Sequence, residues 1–435
     1  MTSRWTLPYL AGITAAAIAA AASALYPDAA PYMVTALVLA IAGRLANCFT
    51  ADGIIRAARI KCLPIYVAAA WAPIDPTFVI NNGWRLALLA LILAGLRARL
   101  GWPDVAAAGL AAWATFVATV SEAPLGAMAA VGYWSACAIF IACRALVVTR
   151  DRIFAVAVCY LGGCAWAAVK AIQNPVDAST DFRPTIDGVN INYVAYALLT
   201  AVALIVALVA IYRPPKRTQI VAAVLIAVLV VAISRADTRA ALGALVGGVV
   251  YLLVRRLSRG GGLAVVAVAI PLVLGLVAFG AVDSSHISLL ETPFDRQSGD
   301  LSGRLAVWPY ARQAWAAEPI FGLGPRVFAT ENPLGIPAHN LLLDLGVEIG
   351  GVGVAAFALV IALALAGYRR SQVRHLAALL LLAWLPLWLT GIWGIAPAAW
   401  IVLAVWSRLP EVAGQPEAAV NTSHLESAEF QMART

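Results

Sequence analysis

The sequence predicts an all-α fold, a polytopic membrane helical bundle of about 12–14 transmembrane helices with one large loop domain that contains short helices. Two observations carry this. Of the 435 residues, 63% are apolar and only 12% charged, about half of the roughly 25% charged residues typical of a soluble chain. Apolar runs of about 17–25 residues also recur from end to end, each enough to cross ~30 Å of hydrocarbon as a helix. Helices satisfy their own backbone groups in lipid. The alternating segments of about ten residues that mark a membrane β-barrel are not evident.

In order, the runs are 7–26, 31–48, 63–80, 84–100, 104–121, 125–148, 152–173, 191–212, 219–235, 239–255, 263–282, 341–367, 376–392 and 395–407, with 63–80 and 395–407 the weakest. Arg4 followed by 7–26 imitates a signal peptide, but the long apolar stretch and the lack of a clear A-x-A site favour a retained first helix. Arg56/Arg59/Lys61, Arg97/Arg99, Arg150/Arg152, Arg213/Lys216/Arg217, Arg255/Arg256/Arg259 and Arg369/Arg370/Arg374 all fall on one side of this arrangement. That side is expected to face the cytoplasm. The chain therefore divides into transmembrane helices over 1–282, an outer loop over 283–338, C-terminal transmembrane helices over 339–408 and a polar cytoplasmic tail over 409–435. The tail lacks an apolar pattern and is expected to be disordered, and its Asn421-Thr422-Ser423 sequon is then a chance match. No internal repeat supports a transporter built from inverted halves.

The formal charge of +8 comes almost wholly from arginine, with Lys61, Lys170 and Lys216 the only lysines. In a soluble chain such a balance raises nucleic acid as a partner. Here most of the cations sit in orienting loops, so no nucleic acid is expected. The six cysteines lack CxxC or zinc-like spacing and read as small core residues. No DxD or DDxxD cluster, HExxH helix or GxxxxGK[ST] loop is present, and the four histidines are widely dispersed. No metal or cofactor is expected.

Candidate chemistry gathers on the outer face. His339 stands at the mouth of the span that begins near residue 341, and Asn340, Asp344 and Glu348 recur at i, i+4 and i+8 to make one face of that helix polar. His339 at the rim is open to water and substrate; the alternative is a helix-start histidine without chemistry. For Glu348 the alternative is pairing with a structural arginine such as Arg44. Ser302 reads as the cap of a short loop helix over LAVWPYARQAWAAEP, on which Arg304, Trp308, Arg312 and Trp315 follow roughly helical spacing. Pro309 either kinks that helix or marks its start. It should end near Pro319, before a tight turn at Phe321-Gly322-Leu323-Gly324-Pro325. Arg235 and Arg239 flank a short outer turn. A guanidinium suits phosphate because its planar fork stays charged and binds bidentately, although either arginine also reads as a snorkelling anchor or an Asp237 partner.

Two stretches, SGRLAVWPYARQAWAAEPIFGLGPRVF (302–328) and HNLLLDLGVEIGGVG (339–353), resemble the signature region of the O-antigen ligase and O-antigen polymerase superfamily. TRAALGALVGG (238–248) is similar to that family's arginine-bearing outer helix start, and DGVNINYVAYALL (187–199) resembles a further segment. The resemblance covers about 190–355. It implies a periplasmic loop domain in the bacterial inner membrane and glycosyl transfer from an undecaprenyl-diphosphate-linked glycan. By position, His339 matches the family's essential histidine, and Arg239 and Arg304 its two important arginines. Asn340 and Glu348 lie within the matched motif, with Arg296 and Arg326 beside it. The leading expectation is an O-antigen ligase that acts on a lipid A–core acceptor without a metal. Alternatives with the same donor are an O-antigen polymerase and a protein oligosaccharyltransferase; a lipid-linked sugar flippase is a rival of another class.

Overall fold

The computed structural model describes residues 62–94, 100–121, 123, 125–173, 185–186, 189–236, 238–257, 304–370 and 373–413. The expected spans 7–26, 31–48 and 263–282, most of the loop 174–190, residues 283–303 and the tail from 414 lie outside the described residues. The described elements are α1 (Leu63–Trp71), α2 (Pro76–Leu93), α3 (Trp102–Val120), α4 (Gly126–Leu146), α5 (Arg150–Gln173), a two-stranded antiparallel hairpin of β1 (Thr185–Ile186) and β2 (Val189–Asn190), α6 (Ile191–Tyr212), α7 (Lys216–Arg235), α8 (Arg239–Leu257), α9 (Arg304–Ala317), α10 (Val327–Glu331), α11 (Leu341–Leu365), a 3₁₀ turn (Ala366–Arg370), α12 (His375–Trp388) and α13 (Pro397–Ala413). Among them, seven helices are long and apolar enough to cross a membrane, and two apolar stretches, Ala240–Leu252 and His375–Trp388, are shorter. The fold is the expected all-α bundle.

Hydrogen bonds tie the helix ends into two opposite faces. At one face Tyr193 Oη, in the first turn of α6, donates to Ala72 O and accepts from Ala398 N at the start of α13. Thr238 Oγ1 and Asn192 Oδ1 lie 3.1 Å apart there, joining the starts of α8 and α6. At the other face Tyr368 Oη donates to Trp406 O and Tyr251 Oη to His375 O. A buried ion pair stitches α3 to α4 at that second face: Arg144 Nε lies 2.9 Å from Asp104 Oδ1. Both charged groups have further hydrogen-bond partners, as burial of charge requires. Gly101 N donates to Asp104 Oδ2, Arg144 Nη1 donates to Ser407 Oγ, and the Arg408 guanidinium caps Arg144 O.

The expected pair of spans 63–80 and 84–100 is corrected. The chain reverses between Trp71 and Pro76, where Asp75 accepts from Phe78 N at 2.9 Å and Pro76 opens α2. Asn81-Asn82-Gly83 then lies inside that helix. Asn82 Nδ2 bonds back to Phe78 O and its Oδ1 accepts from Arg85. Gly83 allows close packing on α4, since a Cβ there would lie 2.6 Å from Ile139 Cδ1. The weak run 395–407 becomes the buried helix α13, with Trp400 and Trp406 in the core. It extends to Ala413, into the stretch expected as tail.

A second difference lies in α11. The apolar pattern predicts one continuous span over 341–367, yet Gly350 has φ 68° and ψ −176°, which breaks the helix. Residues with side chains almost never take this conformation. Groups freed by such a break need partners inside a membrane, and distant residues provide them. Leu323 N donates to Val347 O at 2.7 Å and Gly351 N to Pro319 O at 2.8 Å. Trp113 Nε1 donates to Ile349 O at 2.8 Å.

Candidate active site

Helix α9 packs on the first half of α11 and carries the site's loop with it. Val307, Ala311, Phe328, Ala338, Leu343 and Val347 form a buried cluster, with Trp308 and Trp315 against it. The two tryptophans are therefore engaged in packing against this cluster. The Trp315 ring lies over Gly346, where a Cβ would approach it to 2.4 Å. Trp308 Nε1 donates to Ala338 O at 3.0 Å. Pro309 sits inside α9, while Ser302, its expected cap, lies outside the described residues.

His339 occupies a left-handed backbone conformation, with φ 51°. Such values are rare for a residue with a side chain. It is half-buried at the start of α11. Asn340, next to it, is buried and caps the helix: its Oδ1 accepts from Leu342 N and Leu343 N. Its Nδ2 reaches Leu389 O at 3.4 Å, beyond the end of α12. A substrate contact by Asn340 would have to share its side chain with this capping role.

Asp344 is buried one turn into α11 and accepts from Ala338 N and Asn340 N, each at 3.0 Å. Glu348, one turn further, is half-buried and accepts from the backbone of Arg326 at 3.3 Å. The polar face read from the i, i+4, i+8 spacing is thus real, and both carboxylates hold loop main chain. Arg326 is exposed and left-handed, with φ 65°, at the start of α10.

The other expected residues are placed by backbone alone. Arg239 opens α8, at the face where Thr238 meets Asn192. Arg304 opens α9, one turn before the tryptophan that touches Ala338. The side chains of Arg239 and Arg304, and the whole of Arg296, lie outside the described residues. His339, Asn340, Arg326 and the starts of α8 and α9 share one face of the bundle. Composition gave no sign of Asp344's clasp or of Trp113's contact with α11, because their partners are backbone groups. The i+4 spacing from Asn340 to Asp344 was the one usable signal. Among the described residues no group of three or more His, Cys, Asp or Glu side chains is arranged to hold a metal ion.

Comparison with curated proteins gives no match. Residues 227–358 match the family model described as O-antigen ligase. That stretch holds α8, α9, α10, His339 and the larger part of α11, with Asp344 and Glu348. Over residues 227–358 this multi-pass membrane protein is thus similar to the O-antigen ligase superfamily.

Proposed function

We propose that the chain is an O-antigen ligase, transferring polysaccharide from undecaprenyl diphosphate to lipid A–core oligosaccharide at the periplasmic face of the bacterial inner membrane. The observation that carries this reading is the pinned, left-handed His339 at the mouth of α11, inside the matched domain and on the face where α8 and α9 begin with arginine. His339 takes the proton of an acceptor hydroxyl, as a general base does. The acceptor oxygen bonds to the anomeric carbon of the donor as the bond from that carbon to the phosphate oxygen breaks. Undecaprenyl diphosphate leaves, and the configuration at carbon inverts. Arg239 and Arg304 hold the diphosphate and stabilise the charge it gains, a preorganised electrostatic role. Arg326 and Arg296, from the same loop of the sequence, add contacts to the substrate.

Glu348 serves this reading through Arg326, whose backbone it anchors. Asn340 serves it by capping the helix that presents His339. The test supplies purified protein with a defined undecaprenyl-diphosphate-linked oligosaccharide and three acceptors: lipid A–core, a second donor glycan and an acceptor protein. Label on lipid A–core supports the ligase. Label on the second glycan or on the protein makes it a polymerase or a protein oligosaccharyltransferase. No product in detergent, with donor crossing the bilayer of proteoliposomes, makes it a flippase.

A further inference from the structure

The Asp344 carboxylate does more than cap a helix. In a capping box, the side chain three residues after the cap returns one bond to the cap's N–H. Here residue 343 is leucine, and the carboxylate comes from the next position. One oxygen accepts from Asn340 N, the cap itself, and the other from Ala338 N, two residues before it, each at 3.0 Å. The residue that this clasp spans is His339. The carbonyl of Ala338 is held from the other side by Trp308 Nε1, so the peptide groups flanking the histidine are fixed on both sides. Asp344 is 6% exposed and Ala338 fully buried.

This arrangement explains the φ of 51° at His339. A residue with a Cβ is ordinarily more stable with φ negative. Released from the clasp, it would turn back and swing its Cα–Cβ bond to a new direction. We propose that Asp344 is a positioning residue that holds His339 in its left-handed conformation and so aims the imidazole into the site. This inference rests on the reading of His339 as the base. A displacement of about 1 Å at a reacting group is enough to cost about a hundredfold in rate.

The test uses the full chain in detergent, with ¹³C-labelled histidine and the His339 resonance assigned by its loss in His339→Ala. Asp344→Asn keeps one acceptor and turns an amide donor toward the second N–H. The expected result is a shifted or split His339 resonance, kcat lower by about ten- to hundredfold, and KM for the donor unchanged. If Asp344→Asn yields no folded protein, Asp344→Glu takes its place. It keeps the charge but moves the carboxylate by one methylene, and the same three readouts are expected. An unmoved His339 resonance with unchanged kcat per folded molecule overturns the proposal and leaves Asp344 as a stabilising cap. Full kcat in His339→Ala overturns the base instead, and the resonance alone then decides whether Asp344 positions that residue.

Discussion

The indole N–H of Trp113, in the middle of α3, donates to Ile349 O at 2.8 Å, beside the break in α11. Phe321 stacks on the same ring at 5.5 Å between centroids, so one tryptophan joins a membrane helix, the site loop and the broken span. Ile349 is fully buried, and its carbonyl has no water to turn to. Trp113→Phe keeps an aromatic ring there and removes the donor. The expected cost is about 1–3 kcal/mol, read as a lower thermal midpoint in detergent. An unchanged midpoint would show that the bond contributes little.

Gly350 tests the break itself. An added Cβ would lie 1.9 Å from Ile320 O, on a backbone with φ 68° that disfavours any side chain. Gly350→Ala is expected to leave little folded protein, or to free the 319–323 segment and abolish transfer. Gly162, in α5, has nothing within 4 Å of where an alanine methyl would stand, so Gly162→Ala is the control and should be neutral. Equal yields and activities for the two variants would contradict the docked-loop account.

At the opposite face, the Asp104–Arg144 pair is expected to act on stability. Asp104→Ala leaves a buried guanidinium without its carboxylate and should cost about 3–5 kcal/mol. Replacing both partners with apolar residues should recover much of that loss, because the desolvation of both charges is removed as well. Size-exclusion profiles and thermal midpoints of the three proteins measure this. A double variant no more stable than Asp104→Ala would contradict it.

Arg239→Ala and Arg304→Ala should each lower kcat/KM for the diphospho-lipid donor by about ten- to hundredfold, the worth of one charge-assisted contact of about 1.5–3 kcal/mol. Lysine at either position should recover only part, since an ammonium lacks the bidentate fork. Steady-state kinetics with a varied donor separates this from a folding defect. Variants with unchanged kcat/KM would remove the arginines from the diphosphate site.

Several boundaries were legible because hydropathy alone sets them. The run 191–212 is α6 to the residue, and 104–121 and 125–148 differ from α3 and α4 by one or two residues at each end. The loop helix near 304–317 and the start of α11 near residue 341 were also readable from local spacing. What could not be read depends on partners far away in the chain. Gly350 sits in an apolar run like any interior glycine, and only contacts from Pro319, Leu323 and Trp113 reveal a break. Asn81-Asn82-Gly83 carries the composition of a loop, yet the Asn82 side chain bonds within the helix and the glycine fits a neighbour. The i+4 and i+8 carboxylates suggested a polar face for substrate. Their main-chain partners, at residues 326, 338 and 340, are invisible to any reading of side-chain types.

On the proposed function, His339 takes a proton while a glycan leaves its diphospho-lipid carrier. Single-turnover transfer to lipid A–core, comparing the parent protein with His339→Ala under saturating donor, tests it most directly. The account predicts that His339→Ala folds, binds donor and forms product at least about a hundredfold more slowly. Product formed at the parent rate would contradict it.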